Sequence, residues 1–331
     1  DWLKTLENLL PNIHEVDRNA TQIWFRFFPL ALHRYLQTAE DKAVVVQKFV
    51  MQGKFELKDQ IDSSHDFLYG HRFWTSVKDE ITKRAESFND ENADLSNEIK
   101  QIATTVAGKV KADESLLVGI VAVGLMTLTQ VDLEYFKNAK GAVEQPKGLM
   151  TKSPEQIVSQ RAKDDSQGLL GFLKTVNKEW TVRYDEGKDN GKFKLMNDEE
   201  IASGAARDQS QNWLAQDARC GEGVIPVECR SAACGTCWIG ILGGAEKLSD
   251  VAPRERKQMK VFGYNQPEDA KPFLRLACQA KANGAVSIVI PPWNGVFGKK
   301  IYGNVETIEL EPATTSAAKL RETIATATEK N

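Results

Sequence analysis

Residues 229–237 read CRSAACGTC, and the segment 276–279 reads LACQ, with forty residues between Cys237 and Cys278. The two segments contain four cysteines in the order C-x4-C-x2-C and then a lone C: Cys229, Cys234, Cys237 and Cys278. The first three must lie on one tight loop if their sulfur atoms are to converge, and the fourth has to come from a distant part of the chain. Small residues in the loop let backbone N–H groups approach the sulfur atoms. The fold of this region therefore has to close two separate segments around four thiols.

Four thiolates at this spacing are the ligands of a plant-type [2Fe–2S] cluster. On these residues, the stretch from about Trp180 to Pro292 resembles a plant-type [2Fe–2S] ferredoxin domain. The resemblance implies a β-grasp fold, a [2Fe–2S] cluster as the cofactor, and four residues that bind this cofactor and its iron: Cys229, Cys234, Cys237 and Cys278. The family commonly has a glycine at the third position between the first two ligands, where this sequence has Ala232. Because of this departure, the resemblance does not predict the hydrogen bonds of the loop or the exact reduction potential.

Other uses of four cysteines stay open at this point. A disulfide framework belongs to an oxidising compartment and usually to a small, cysteine-dense domain, whereas this chain has five cysteines in 331 residues. A structural zinc site normally has paired C-x2-C motifs or spaced histidines, and all four histidines lie at or before His71. Unligated thiols are the third alternative. For the fifth cysteine, Cys220, we expect a free thiol, with a regulatory disulfide or an additional ligand as the other options.

Length and composition indicate an ordinary multidomain protein. The 331 residues suffice for two or three domains, and 41% hydrophobic residues suffice for their cores. A net charge of -3 gives no indication of nucleic-acid binding. The first residues lack the basic-then-apolar pattern of a secretory signal. The expected location is therefore cytoplasmic, at the periphery of a membrane complex if the partner is membrane-bound.

The order of apolar residues predicts an α+β protein, with an N-terminal all-α helical bundle followed by a β-grasp ferredoxin-like domain. Helical spacing without a hairpin signal predicts five to seven helices, including one that Asn19 caps and Pro29 bends, and another segment over 44–50. We divide the chain into a helical docking domain (1–150), a connecting helix and linker (151–178), a plant-type [2Fe–2S] ferredoxin domain (179–300) and a C-terminal tail (301–331).

Strand and turn patterns carry the β-grasp prediction within the ferredoxin part. Alternating apolar residues predict strands over 180–184, 191–195, 238–242 and 285–290, with the turn Asp189-Asn190-Gly191 between the first two. Asn197 is predicted to cap a helix that runs through Trp213. Upstream, the pair Ser153-Pro154 predicts the start of a connecting helix that reaches about Lys174.

The longest apolar run, Leu116 to Val131, has sixteen residues and already includes two threonines and a glutamine. A membrane-spanning helix needs about 20 predominantly apolar residues. The run therefore predicts a buried helix at the centre of the bundle. Insertion into a membrane, or docking against a membrane partner, is the alternative.

No catalytic residue is predicted. The chain lacks a Gly-rich phosphate loop, a nucleophile elbow and an HExxH motif. His65 and His71 are six residues apart, which does not place them on one helical face, so we expect scattered histidines rather than a haem or metal site.

The charge around the cysteines differs from that of the ferredoxins it resembles, which usually present an acidic face. The segment Arg219 to Lys300 contains seven Lys and five Arg against two Asp and five Glu, a balance of +5. If Arg230, Arg275 and Lys281 lie near the cluster and contribute to docking, the partner has an acidic docking surface and the association is sensitive to salt.

These observations predict one-electron transfer through the cluster, by an electron carrier or electron-transfer subunit rather than an enzyme. A helical domain of this size exceeds what a free shuttle needs, so we expect a subunit docked to a larger redox complex, which includes membrane-associated complexes. The alternative is an iron–sulfur redox sensor that signals through the helical domain. A third reading, an unrecognised enzyme in the helical domain, has no motif in its support.

Overall fold

The structure, a computed structural model, describes residues 2–26, 60–87, 94–168, 178–217, 220–261 and 271–291. The predicted bend at Pro29, the segment 44–50 and the tail 301–331 lie outside these residues. The chain forms two compact units, one made of Asp1–Gln160 with Glu186–Asp189 and the other of Arg161–Asp185 with Asn190–Asn331. A helical region comes first and a mixed sheet follows, so the predicted α+β class is confirmed. The domain limits drawn from the sequence at 150, 178 and 300 stay predictions.

In the described residues, the helical region consists of α1 (Trp2–Leu9), α2 (Glu15–Arg26), α3 (Trp74–Ser87), α4 (Leu95–Val110), α5 (Ser115–Val131), α6 (Leu133–Asn138) and α7 (Pro154–Ala162). Short 3-10 turns occupy Leu10–Asn12, Tyr69–Phe73 and Gly148–Thr151.

Helix α5 contains the long apolar run, and twelve of its seventeen residues are buried. It packs against α2, α3 and α4. Gly124 permits the close approach of α3, because a Cβ at this position would lie 2.6 Å from Ile81 Cδ1 and 2.9 Å from the Trp74 ring. The prediction of a buried central helix is confirmed. Among the described residues, no helix has both the length and the apolar character needed to cross a bilayer.

The start of one helix differs from the sequence prediction, and the end of another is fixed by a local turn. Asn19 lies inside α2 and does not cap it, because His14 Nδ1 accepts the N–H of Val16 at 3.2 Å and the helix begins earlier. The apolar helix ends at Asp132, whose φ of 70° interrupts it. The Asp132 carboxylate then accepts the N–H of Tyr135 at 3.1 Å and caps the separate helix α6.

The connecting helix α7 begins where the sequence predicts. Ser153 Oγ accepts the N–H of Gln156 at 3.3 Å, and Gln156 Oε1 accepts the N–H of Ser153 at 3.2 Å, which is a capping box. The helix ends at Ala162, well before the predicted Lys174. The chain leaves the helix there because the Asp164 carboxylate accepts the N–H of Ala285 at 2.9 Å.

Within the described residues of the second part, seven strands are present: β1 (Glu179–Arg183), β2 (Lys192–Met196), β3 (Glu199–Glu200), β4 (Trp238–Gly243), β5 (Leu274–Leu276), β6 (Lys281–Ala282) and β7 (Val286–Val289). Five of them form a mixed sheet in the order β2-β1-β7-β4-β5, while β3 and β6 pair separately. Strands β1 and β7 are parallel, and the other neighbours are antiparallel. This sheet, with a helix packed on its first hairpin, is the predicted β-grasp arrangement.

The structure describes three further helices in this part, outside its gaps at 169–177, 218–219, 262–270 and 292–331: α8 (Ile201–Arg207), α9 (Trp213–Gln216) and α10 (Pro253–Val261). Helix α8 packs on β2. The prediction of one helix from Asn197 through Trp213 is wrong, because Asn197 Oδ1 accepts the Trp180 indole N–H at 3.0 Å and Asp198 turns the chain with a φ of 60°. The helix starts only after β3, and α9 follows it as a separate turn.

Candidate metal centre

The loop 229–237 owes its shape to backbone conformations that are rare for residues with a side chain. Arg230, Ala232 and Gly235 have φ values of 51°, 60° and 70°. Gly235 adopts this conformation without steric cost, whereas a Cβ in the left-handed region costs about 1–2 kcal/mol. Ala232, at the position where the resembling family commonly has glycine, therefore keeps a glycine-like backbone.

This conformation directs three backbone donors at one sulfur atom. The N–H groups of Ser231, Ala233 and Cys234 donate to Cys229 Sγ at 3.4, 3.3 and 3.3 Å. Donors of this kind favour a thiolate over a neutral thiol. The loop is thus built to hold negative charge at Cys229.

The fourth cysteine reaches the loop through the pairing of β4 with β5. Trp238, the first residue of β4, lies opposite Leu276, the last residue of β5. Next to this pair, the N–H of Ala277 donates to the carbonyl oxygen of Cys237 at 2.9 Å. Antiparallel register therefore places Cys278 at the end of the sheet where the ligand loop enters it.

The four thiols interact as two pairs. Contact with the Cys234 thiol lowers the pKa of Cys229 to about 4, against the effect of burial, and the same contact raises the pKa of Cys234. Likewise, contact with Cys278 raises the pKa of Cys237, and contact with Cys237 lowers the pKa of Cys278. Smaller electrostatic effects of Cys234 on Cys237, and of Cys229 on Cys278, connect the pairs. All four predicted site residues therefore come together.

Burial divides the four cysteines unequally. Cys229, Cys237 and Cys278 are buried, whereas Cys234 is only half-buried. The Cys234 sulfur lies 3.1 Å from Thr236 Oγ1. Trp238, directly after the third cysteine, is fully buried in the sheet core. The site is thus closed on the side of the sheet and most accessible at Cys234.

Residues 203–283 match the family model described as the 2Fe-2S iron-sulfur cluster binding domain. This segment is a 2Fe-2S cluster binding domain. Its match includes all four cysteines of the site and leaves the N-terminal helical region unassigned. No curated protein and no solved structure matches the chain. The predicted cofactor and the ferredoxin-type character of this part are confirmed, and the domain implies a role in electron transfer.

The residues of the domain fit a two-iron group. Among the described residues, no set of three or more His, Cys, Asp or Glu side chains is placed to hold one metal ion. The thiols stand instead as two pairs, and a [2Fe–2S] cluster takes two thiolates on each of its irons. The Ser231 hydroxyl also fits a bound group at this site, because its oxygen is buried in the same loop and has no hydrogen-bond partner.

Two of the three cations predicted to lie near the cluster are already engaged within the domain. Arg275 is fully buried and makes a two-point ion pair with Glu255, through Nε at 2.8 Å and Nη2 at 2.9 Å. Arg230 pairs with Glu222 at 2.5 Å on the protein surface. The expectation that Arg275 contributes to docking is therefore wrong, because β5 turns its side chain into the core.

The buried pair also holds the strand that leads to the fourth cysteine. Glu255 Oε1 accepts the N–H of Leu276 at 2.8 Å, and Arg275 Nη1 donates to the carbonyl oxygen of Ser249 at 2.9 Å. Sequence reasoning missed this role, although a lone acidic residue among the basic residues of PRERKQMKV was a usable signal. Glu255 thus ties α10 to β5, two residues before Cys278.

In the helical unit, the structure brings together the two histidines that the sequence separated. The Nδ1 atoms of His65 and His71 lie 2.9 Å apart, and His65 Nε2 lies 3.0 Å from the Ile61 carbonyl oxygen. Burial lowers the pKa of His65 well below its usual value and that of His71 to about 4. A 3-10 turn between them, rather than a helix, makes the contact, and a spacing rule for helices does not detect it.

Cys220 stands apart from the paired thiols. All five cysteines are free of disulfide bonds, and the Cys220 thiol donates to the Val224 carbonyl oxygen at 3.2 Å. No disulfide joins the five cysteines in this structure, and the role of Cys220 stays a prediction.

Proposed function

We propose that Cys229, Cys234, Cys237 and Cys278 hold one [2Fe–2S] cluster, and that the protein transfers single electrons as a subunit docked to a larger redox complex. The observation that carries the proposal is the division of the thiols into two interacting pairs where β4 begins and β5 ends. The first pair belongs to the loop alone. The second pair joins the loop to β5, so that closing the sheet also completes the ligand set.

The cluster supplies a one-electron couple, near −400 mV if it behaves as other plant-type centres do. The chain supplies the surroundings that keep this couple in place. Three N–H donors offset negative charge at Cys229. The buried Trp238 and the sheet exclude water behind Cys237, and the more accessible Cys234 marks the side on which electrons enter and leave.

The partner in this proposal has an acidic docking surface. The exposed side of α10 carries Arg256, Lys257 and Lys260, and the only carboxylate of this helix, Glu255, is turned inward to Arg275. Neither Arg256 nor Lys257 forms an ion pair with a carboxylate of the described residues. Because α10 is tied to the strand before Cys278, a partner bound there would approach the ligand-bearing strand.

A salt titration tests the docking proposal. Electron exchange with the partner should slow as ionic strength rises, since exposed charges are screened over about 10 Å at 0.1 M salt. The double variant Arg256→Gln/Lys257→Gln should weaken this salt dependence. Lys4→Gln/Lys152→Gln, which removes the same charge from the other unit, is the control. An unchanged salt dependence in the α10 variant would contradict the role of this helix.

Spectroscopy of anaerobically purified protein tests the cluster itself. We expect one reducible [2Fe–2S] centre per chain by absorption and electron paramagnetic resonance. The Cys234→Ser variant should lose this centre, and Cys220→Ser should retain it, which separates a ligand from a free thiol. Stoichiometric zinc without a visible chromophore would overturn the proposal. Co-purification from native membranes and from cytosol then identifies the complex to which the subunit belongs.

A further inference from the structure

Ser231 contributes an unexplained polar atom to the ligand loop. Its Oγ is buried and has no hydrogen-bond partner, although its backbone N–H donates to Cys229 Sγ at 3.4 Å. Buried hydroxyl groups in folded proteins are normally hydrogen-bonded, so an exception needs a physical reason. A hydroxyl can donate one hydrogen bond and rotates freely to find an acceptor.

The surroundings of this hydroxyl indicate what it can bind. Ser231 lies between the first two cysteines, and its side chain is one of the groups that lower the pKa of Cys229, although no hydrogen bond of regular geometry joins the two side chains. The same sulfur already accepts backbone N–H groups from Ala233 and Cys234 at 3.3 Å. Three backbone donors of the loop are therefore directed at this one sulfur, which makes sulfur the acceptor beside the Ser231 hydroxyl.

We propose that the Ser231 hydroxyl donates a hydrogen bond to a sulfur of the bound cluster on the side of Cys229, and that this bond raises the reduction potential. The inference rests on the proposed function, because it requires the cluster to be held by these cysteines. Reduction adds one negative charge to the group, and a hydrogen bond to a charged acceptor is stronger than one to a less charged acceptor. The donor therefore stabilises the reduced state more than the oxidised state.

The first experiment is a redox titration of purified holoprotein, followed by electron paramagnetic resonance. In Ser231→Ala the equilibrium constant for reduction should fall roughly tenfold, which for one electron is a downward shift of about 59 mV. Ser249→Ala is the matched control, since this half-buried serine in the same domain accepts the N–H of Lys281 at 3.2 Å. Its potential should equal that of the wild type. A full cluster with an unchanged potential in Ser231→Ala overturns the inference.

A second pair of variants keeps the inference testable if the alanine variant does not assemble the cluster. Thr and Val have the same shape and differ in the hydroxyl, so Ser231→Thr should keep a potential near the wild-type value and Ser231→Val should lower it. Equal potentials in these two variants overturn the inference. Resonance Raman spectra then locate the acceptor, because loss of a bond to Cys229 shifts an iron–thiolate band and loss of a bond to a bridging sulfide shifts a bridging band.

The outcomes separate this inference from the function on which it rests. Wild-type protein without a [2Fe–2S] spectrum contradicts the proposed cluster, and with it the inference. A normal wild-type spectrum with no effect of the hydroxyl contradicts the inference alone. The readouts are a potential and a vibrational spectrum, so neither depends on knowing the redox partner.

Discussion

The ligand loop and strand β5 supply thiols to one site but are held by opposite means. The loop 229–237 provides three cysteines and is held in shape by its backbone: some of its residues are in the left-handed conformation, and its N–H groups donate to Cys229. Strand β5 leads to one cysteine and is held in place by side chains, because Arg275 and Glu255 form a fully buried ion pair.

The difference follows from how far each ligand is from the others along the chain. Three cysteines within nine residues need only local backbone geometry to converge. Cys278 comes from a segment forty residues away, so its strand must be anchored by contacts that are specific to the folded state. Backbone geometry tolerates side-chain changes, whereas a buried ion pair does not, and the two means of support should therefore respond differently to mutation.

The largest expected effect is from removal of the anchor. Arg275→Ala leaves the buried Glu255 carboxylate without its cationic partner, which should lower the free energy of unfolding by about 3–5 kcal/mol and decrease the cluster content. Urea denaturation and the iron content per chain measure both effects. Arg256→Ala, an arginine on the exposed side of α10, should change stability by less than about 0.5 kcal/mol. If Arg275→Ala lowered the free energy of unfolding as little as Arg256→Ala does, the buried ion pair would not be what anchors β5.

Two contacting histidines in the helical unit, His65 buried and His71 half-buried, are an uncharged counterpart of this ion pair. His65 and His71 contact each other, and burial lowers the pKa of His71 to about 4 from a value near 6.5 in the unfolded chain. The unfolded chain thus binds protons first, so stability is complete above pH 6.5 and falls as the pH drops toward 4. From pH 7 to 5, His71 alone should cost about 2 kcal/mol.

Urea unfolding of wild type and His71→Asn at both pH values measures this cost as a difference in slope. The variant should be less stable than the wild type at pH 7 but should lose less stability on acidification. Lys257→Gln, which removes an exposed charge from the other unit, should leave the slope of the wild type unchanged. Identical pH slopes for wild type and His71→Asn would contradict a neutral, buried His71.

These cases show which parts of the molecule the sequence predicts and which it does not. The cysteine spacing predicts the ligand loop because the chemistry of four thiols acts over a few residues, and Asp189-Asn190-Gly191 predicts the first hairpin for the same local reason. Arg275 was considered only as a charge that could contribute to docking, since a charged residue in sequence does not show the Glu255 that meets it after folding. The His65–His71 contact was missed because it depends on a non-helical turn.

The strained backbone of the ligand loop should respond to mutation as well. Ala232 is buried with a φ of 60°, so Ala232→Gly should relieve strain and raise the free energy of unfolding by about 0.5–1 kcal/mol. Its neighbour Ala233 does not have a positive φ, so Ala233→Gly should instead lower the free energy of unfolding by about 0.5–1 kcal/mol. Thermal or urea unfolding compares the two variants. The same sign for both changes would show that backbone strain is not what shapes the loop.

The smallest effect is expected from the ion pair on the loop itself. Arg230 and Glu222 have the same charges as Arg275 and Glu255, but the Arg230 side chain is 37% exposed and the Arg275 side chain 1%. Water and salt screen the exposed pair, so a double-mutant cycle with Arg230→Gln and Glu222→Gln should give a coupling of about 0.2–1 kcal/mol that decreases in high salt. The corresponding cycle with Arg275→Gln and Glu255→Gln should give several-fold more and little dependence on salt. Because both cycles use the same residue types in one domain, equal couplings would mean that burial does not distinguish the two supports of the site.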